Sequence, residues 1–448
     1  MLTIGTMVIA KSESQSMAPH DAAIMDNSRA TLLARIAERV LRLSPAVVYG
    51  IPALVALLLN FWQISTRSFT QDEGATLSAS RRPLSALLHM LVHIDAVHGA
   101  YYILIHFVIL AAGASEIAVR SPSVLATAVA AGVLAALGSR LAGPWAGLGA
   151  GLLFAVAPLV TADAQNARPF ALATALAVIA CHRFVIFVES GRRRDAVVYA
   201  VALAAAGWLD ILALLVLAAN AVTLLCTPKY RSGRRAFLGV ALAAGVLVLP
   251  LAWLDLTQVG QVAWEKPPGL AIVATLLAAA MASALTFGVA KPGNRGYGAA
   301  ALTTLALPWL VLPPVLLALA AQITPMWENR YLLFCLPALA LLVVSAVLLL
   351  PKPFRMAVLV VIITAELATQ PLVRPATASD DIRAVAQLLA ARAHPGDAVV
   401  FPSGANQLGR RLIMAAYPAP FVHLRDIGGT ILAPTAIRCM AATSAQLC

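Results

Sequence analysis

Two carboxylates stand side by side at Asp72 and Glu73, shortly after the first long apolar run. At a membrane edge such a pair suits a general base that takes the proton of a hydroxyl acceptor. A solvated loop pair would show the same two residues. The same segment carries His89, His93, Asp95 and His98, all able to titrate or bind. Histidine and carboxylate together also suit a divalent metal. Their spacing fits no metal motif, however, and base chemistry needs no cofactor.

Arg168 and Arg330 are the next candidates, each at the end of an apolar run. A guanidinium binds phosphate in bidentate fashion, and a phosphodiester leaving group needs such a partner. An arginine at a membrane edge also serves as a plain interfacial anchor. Tyr331 follows Arg330 and offers a further hydrogen bond, with Glu328 nearby to hold the guanidinium. Asp210 interrupts an apolar stretch, where a charge is costly without function or pairing; a simple turn residue is the other reading. Trp264-Glu265-Lys266 offers an aromatic face for a sugar or an interfacial anchor. His106 and Glu116 read as buried, hydrogen-bonded groups without catalytic work.

The elements that must position these residues follow from composition. Of 448 residues, 61% are hydrophobic and 12% charged, against about 25% charged in a soluble domain. Mean hydropathy is +0.86. Apolar runs long enough to cross a bilayer recur along most of the chain. The expected fold is therefore an all-α polytopic membrane protein of eleven or twelve spans. Net charge is +12, but the basic residues cluster between apolar runs, at Arg192-Arg193-Arg194, Lys229 to Arg235 and Lys352 to Arg355. That is the positive-inside pattern, not a nucleic-acid surface. Leu2 to Ala10 is too short, and too poor in basic residues at its start, for a signal peptide.

Charge sets the expected topology. Residues 1–45 form a cytoplasmic segment, with Arg29, Arg35, Arg39 and Arg42 before the first span at 46–64. Residues 46–371 form the transmembrane domain, with 65–96 as its first outer loop. In that loop Leu84, Leu87, Leu88 and Leu91 follow Pro83 as one apolar stripe, the pattern of an amphipathic interfacial helix. A second crossing is expected at 97–118, returning to Arg120. The run 168–188 descends to the arginine triplet, and 196–226 reads as two short spans around an outer Asp210. Further spans are expected at 236–253, 270–289, 298–321, 331–350 and 356–371. Residues 122–160 resist this scheme: two crossings around Arg140 would leave Arg168 on the cytoplasmic side. A re-entrant piece there, or a misread crossing at 97–118, would restore parity.

Residues 372–448 are expected as a small outer α/β region. Asp380 to Arg392 has helical periodicity, Pro395-Gly396-Asp397 is a turn and Ala398 to Phe401 a strand. Cys181, Cys226 and Cys335 lie in apolar runs; Cys439 and Cys448 lie in the tail, where an oxidising compartment would allow them to pair.

Four segments together resemble a known group. They are Thr70-Gln71-Asp72-Glu73, Ile94 to Tyr102, Ala164 to Leu172 (with Ala167-Arg168-Pro169), and Glu328 to Leu333 followed by Leu336-Pro337. In order and expected sidedness they resemble the GT-C glycosyltransferases, specifically bacterial relatives of the protein O-mannosyltransferases and the aminoarabinose lipid A transferase, a family 39-like group. Gly99 stands where that group usually has proline, and Phe170 where it has tyrosine. The resemblance implies transfer of a sugar, mannose or arabinose, from a polyprenyl-phosphate donor to a hydroxyl acceptor on a glycolipid, glycan or protein. It implies inverting displacement, with Asp72 as base and Glu73 supporting or sharing that role. Arg330, Tyr331 and Arg168 would hold the donor phosphate. Asp95, His98, Tyr101 and Tyr102 would contact substrate, to which position adds Asp210. The expected setting is the plasma membrane, with the site and the C-terminus extracytoplasmic. A secondary transporter is the rival from another class, and an inactive assembly protein the third reading. Transporters gather ionisable groups near mid-membrane and often carry internal repeats; this chain shows no repeat and gathers its charges at span ends.

Overall fold

The computed structural model describes residues 44–258, 268–269, 297–323, 327–374, 381–400 and 414–427. The expectations for residues 1–43, for the 270–289 span, for Trp264-Glu265-Lys266 and for Cys439 and Cys448 lie outside these described residues.

The first helix, α1 (Pro45–Phe61), starts with proline in its first turn, where the missing N–H costs nothing. A short loop leads to α2 (Gln71–Ser80), then α3 (Leu84–Leu91), a 3-10 turn (Ala96–His98) and α4 (Gly99–Ala112). The long α5 (Glu116–Ala142) follows. Next come α6 (Pro144–Val156) and α7 (Pro158–Ala164), bent 61° against each other. Then come α8 (Phe170–Ser190), α9 (Arg193–Leu209), α10 (Leu215–Cys226), α11 (Arg234–Thr257), α12 (Tyr297–Ala320), α13 (Leu336–Leu349) and α14 (Lys352–Thr369). Beyond them α15 (Ile382–Arg392) precedes the paired strands β1 (Ala398–Val399) and β2 (Arg425–Asp426), which run parallel. Gly396, at φ +96°, makes the turn expected before β1.

Among the described residues six helices are long and apolar enough to cross a membrane, or seven if the bent α6–α7 pair counts as one span. Shorter apolar helices occur at Pro45–Phe61, Ala96–Ala112 and Ile211–Cys226. The amphipathic α3 buries Leu87, Met90 and Leu91 and leaves Leu84 and Leu88 exposed.

Side-chain ties define the two ends of the bundle. At one end, Gln165 donates to the carbonyls of Asn60 (3.0 Å) and Trp62 (2.9 Å), and Arg330 pairs with Asp72. At the other, Arg140 and Lys229 both reach Glu189, at 2.7 and 3.5 Å. Helix α5 therefore starts in the Asp72 layer, where Arg120 meets Glu73, and ends in the Arg140 layer. The α6–α7 pair returns, and α8 descends again.

This geometry corrects the expected crossing at 97–118. Helix α4 has 14 residues, about 21 Å at 1.5 Å per residue, short of a hydrocarbon core of about 30 Å. Asp95 before it and Glu116 after it both belong to the Asp72 layer. With α4 lying in that layer beside α2, the two pieces of 116–164 are both crossings, and Arg168 returns to the Asp72 end. The parity conflict is resolved.

Close backbone contact holds the central helices. A Cβ on Gly138 would lie 2.9 Å from the Cα of Gly147, and one on Gly151 would lie 2.8 Å from Pro52 of α1. Small residues at such faces let helices approach where apolar burial gives no drive in lipid.

Candidate active site

Helix α2 begins with a reciprocal cap. Thr70 Oγ1 accepts from the Glu73 amide at 3.3 Å, and Glu73 Oε2 accepts from the Thr70 amide at 2.9 Å. This capping box fixes the two carboxylates on different faces. Glu73 points inward and is fully buried. Its Oε1 accepts from Arg120 Nε (2.7 Å) and the Ala167 amide (2.9 Å), and its Oε2 accepts from Arg120 Nη2 (2.8 Å). Both oxygens are thereby occupied, and none is open to an acceptor. The expectation that Glu73 shares the base role gives way: it is a buried brace joining α2, α5 and the α7–α8 turn.

Asp72 points the other way, with its side chain 40% exposed. Arg330 Nη1 donates to its Oδ2, across 258 residues of chain. Arg330 thus turns to Asp72 and not to its neighbour Glu328. The 3-10 turn Asn329–Cys335 carries it, placed against the start of α8. There the rings of Phe170 and Tyr331 stand 5.9 Å apart, and the Arg330 guanidinium lies 5.8 Å from the Tyr331 ring centre.

Arg168 is buried beside this pair. Its Nη2 donates to His98 Nε2 at 2.7 Å. Burial, then the charges of Arg168 and Arg330, push the His98 pKa well below its ordinary value, so the ring is neutral and accepts at Nε2. Burial also acts against the Arg168 charge, but Tyr102, Asp72 and Asp95 more than offset it. Tyr102 donates to Asp95 Oδ2 at 3.2 Å. Burial raises the Asp95 carboxyl, against the pull of Arg168. Asp95 itself takes the left-handed backbone region, φ +57°, uncommon for a residue with a side chain. Asp72, Asp95, His98, Tyr102, Arg168, Arg330 and Tyr331 thus form one cluster of alternating charge.

Other candidates stand apart. Tyr101 is fully buried in the core, within electrostatic reach of Glu73 and Arg168. Asp210 caps the next turn, accepting from the Leu212 amide at 3.0 Å, as the turn reading expected; it also lies within electrostatic reach of Asp163. His89 on α3 and His93 just beyond it are exposed and pack on each other, rings 5.0 Å apart. His106 meets the Ser80 carbonyl at 2.9 Å, and Glu116 pairs with Arg383 at 2.9 Å. Among the described residues no three His, Cys, Asp or Glu side chains converge as metal ligands.

With this geometry, similarity to known proteins is informative. Residues 97–254, from before α4 to the end of α11, match the family model for dolichyl-phosphate-mannose-protein mannosyltransferase. No curated protein matches the chain. Among solved structures, ArnT from Cupriavidus metallidurans bound to undecaprenyl phosphate is 16% identical over 89% of this chain and 77% of that one, with TM-score 0.51. The fold is the GT-C fold. The apo structure of the same ArnT aligns at 16% identity over 87% and 76% (TM-score 0.46), and EmbB from Mycobacterium smegmatis at 15% over 90% and 39% (TM-score 0.43).

On this GT-C scaffold several residues escaped sequence reasoning. Arg120 was expected on the opposite side, at the end of a crossing. Its signal was an arginine inside an apolar helix, which demands an acidic partner. Arg383 and Tyr417, from the C-terminal region, also reach the Asp72 loop. Nothing in local sequence marks either of them.

Proposed function

We propose that the protein is a glycosyltransferase that moves a sugar from a polyprenyl-phosphate donor to a hydroxyl acceptor. The observation that carries this reading is the Asp72–Arg330 pair: a part-exposed carboxylate and a guanidinium meet at one end of a GT-C bundle. The undecaprenyl phosphate in the similar ArnT structure supports a lipid-phosphate donor.

In this reading the acceptor hydroxyl gives its proton to Asp72 while its oxygen bonds to the anomeric carbon. The bond from that carbon to the donor phosphate oxygen breaks, and polyprenyl phosphate leaves against Arg330, with Arg168 adding positive charge behind it. One displacement inverts the anomeric centre and needs a single base, unlike a retaining route with its own nucleophile. The guanidinium supplies the charge that the leaving phosphate needs, so no metal or other cofactor is called for. Mannose or arabinose is the sugar implied by the sequence resemblance. The Arg140–Glu189–Lys229 end, close to the arginine triplet, is the cytoplasmic end by the positive-inside rule. That puts the Asp72 layer and α15 on the extracytoplasmic face of the plasma membrane.

The test is transfer of radiolabelled sugar from a panel of polyprenyl-phosphate donors to membrane extract, in wild type and Asp72→Asn. Wild type is expected to transfer from one donor. The variant should lose about 100-fold or more in kcat, the usual scale for a general base, while still inserting and binding donor. Transfer that survives the substitution would overturn the base assignment, and no transfer from any donor would overturn the enzyme reading.

A further inference from the structure

We infer that Arg383 and Tyr417, in the C-terminal region, are positioning residues that hold the Asp72 loop in its working geometry. This rests on the proposed role of Asp72 as base.

The loop between α1 and α2 has almost no regular structure, yet its backbone is satisfied by side chains from two distant places. From below, Arg120 Nη1 donates to the carbonyls of Ile64 (2.7 Å) and Arg67 (2.9 Å), and its Nη2 to that of Ser68 (3.1 Å). From above, Arg383 Nη2 donates to the carbonyls of Ser65 (2.7 Å) and Arg67 (3.1 Å), and its Nη1 to that of Thr66 (3.4 Å). Five consecutive carbonyls, 64 to 68, are therefore held by two guanidinium forks, and Arg67 is held by both. Backbone groups left without such partners would cost free energy, so the loop has this shape only while both arginines are present.

Tyr417 closes the next position. Its hydroxyl accepts from the Phe69 amide at 3.1 Å and donates to Glu116 Oε1 at 2.6 Å. Its ring packs on Phe69 at 5.5 Å. Phe69 directly precedes Thr70, the cap residue of the helix that carries Asp72. Burial and the Glu116 carboxylate raise the Tyr417 pKa, so the phenol keeps the proton it donates. Glu116 also accepts from Arg383 Nη2 at 2.9 Å. Glu116 and Arg120 lie one turn apart on α5, so both clamps are anchored to the same helix. The C-terminal region thus completes a frame whose other half is the buried Arg120–Glu73 brace.

Tyr417→Phe removes the hydroxyl and keeps the ring. Hydrogen exchange of the full chain in detergent should show the amides of 69–74 opening about tenfold faster, the effect of one lost hydrogen bond, with the transmembrane helices unchanged. In the transfer assay kcat should fall about tenfold with donor KM within twofold. Arg383→Lys should give the same pattern, because one ammonium cannot span the three carbonyls and Glu116. Exposed Arg392→Ala serves as the unaffected control. Unchanged exchange at 69–74, protection lost throughout the molecule, or a donor KM rise with kcat intact would each overturn the inference. A wild-type protein without transfer would overturn the proposed function instead, and the exchange arm would still decide whether Tyr417 holds the loop.

Discussion

Asp72 and Glu73 are neighbours of similar chemistry with opposite surroundings: one faces a part-open guanidinium, the other disappears into four hydrogen bonds. The adjacent pair was legible in the sequence because acidic residues are rare in this chain. Their division of labour was not, since Glu73 is defined by Arg120, 47 residues away inside an apolar helix. His98 offers a test at this scale. Its folded pKa lies well below the ordinary value of 6.5, mainly through burial and then through Arg168 and Arg330. Above 6.5 neither folded nor unfolded chain protonates it. Below 6.5 the unfolded chain gains a proton that the folded chain refuses, so stability falls as pH drops. Thermal unfolding in detergent between pH 7 and pH 5 should show this loss, and His98→Asn should flatten that part of the profile. An identical pH dependence in wild type and variant would count against the neutral, part-buried ring.

At the scale of elements, the helices were readable wherever hydropathy and basic clusters agreed. They were misread where an apolar run does not cross. Helix α4 has the composition of a span and the length of an interfacial piece, and only its place between Asp95 and Glu116, both in the Asp72 layer, decides between the two. The α5–α6 hairpin yields a second prediction. A Cβ on Gly147 would lie 2.7 Å from the Ser139 amide nitrogen, closer than packed atoms allow. Gly147→Ala should destabilise the protein by about 1–3 kcal/mol, the usual cost of overpacking, seen as a lower melting temperature in detergent. Gly239→Ala, at a position with open space around it, should not. Equal stability of the two variants would mean that the hairpin is looser than described.

For the molecule as a whole, sidedness is the property that links fold to function. In a background without native cysteines, Arg82→Cys and Ala112→Cys should react with a membrane-impermeant maleimide from the same face, and Arg193→Cys from the opposite one. A second crossing at 97–118 would instead separate Arg82 from Ala112. The shared side of Asp72 and Arg330 was anticipated from order and charge, but not their pairing, for which Glu328 was the expected partner. The outer clamp was not, because Arg383 and Tyr417 belong to a region whose own pattern speaks only of a short helix and a strand.

The ties around residues 64–70 also bear on biosynthesis. Glu73 emerges from the ribosome 47 residues before Arg120, the group that neutralises it, and the Phe69 amide waits 348 residues for its partner Tyr417. Until α5 has entered the bilayer, the early carboxylate has only water as its partner. The corner proposed for catalysis is therefore among the last parts to set, and a nascent chain stalled anywhere in the transmembrane domain would be inserted without it.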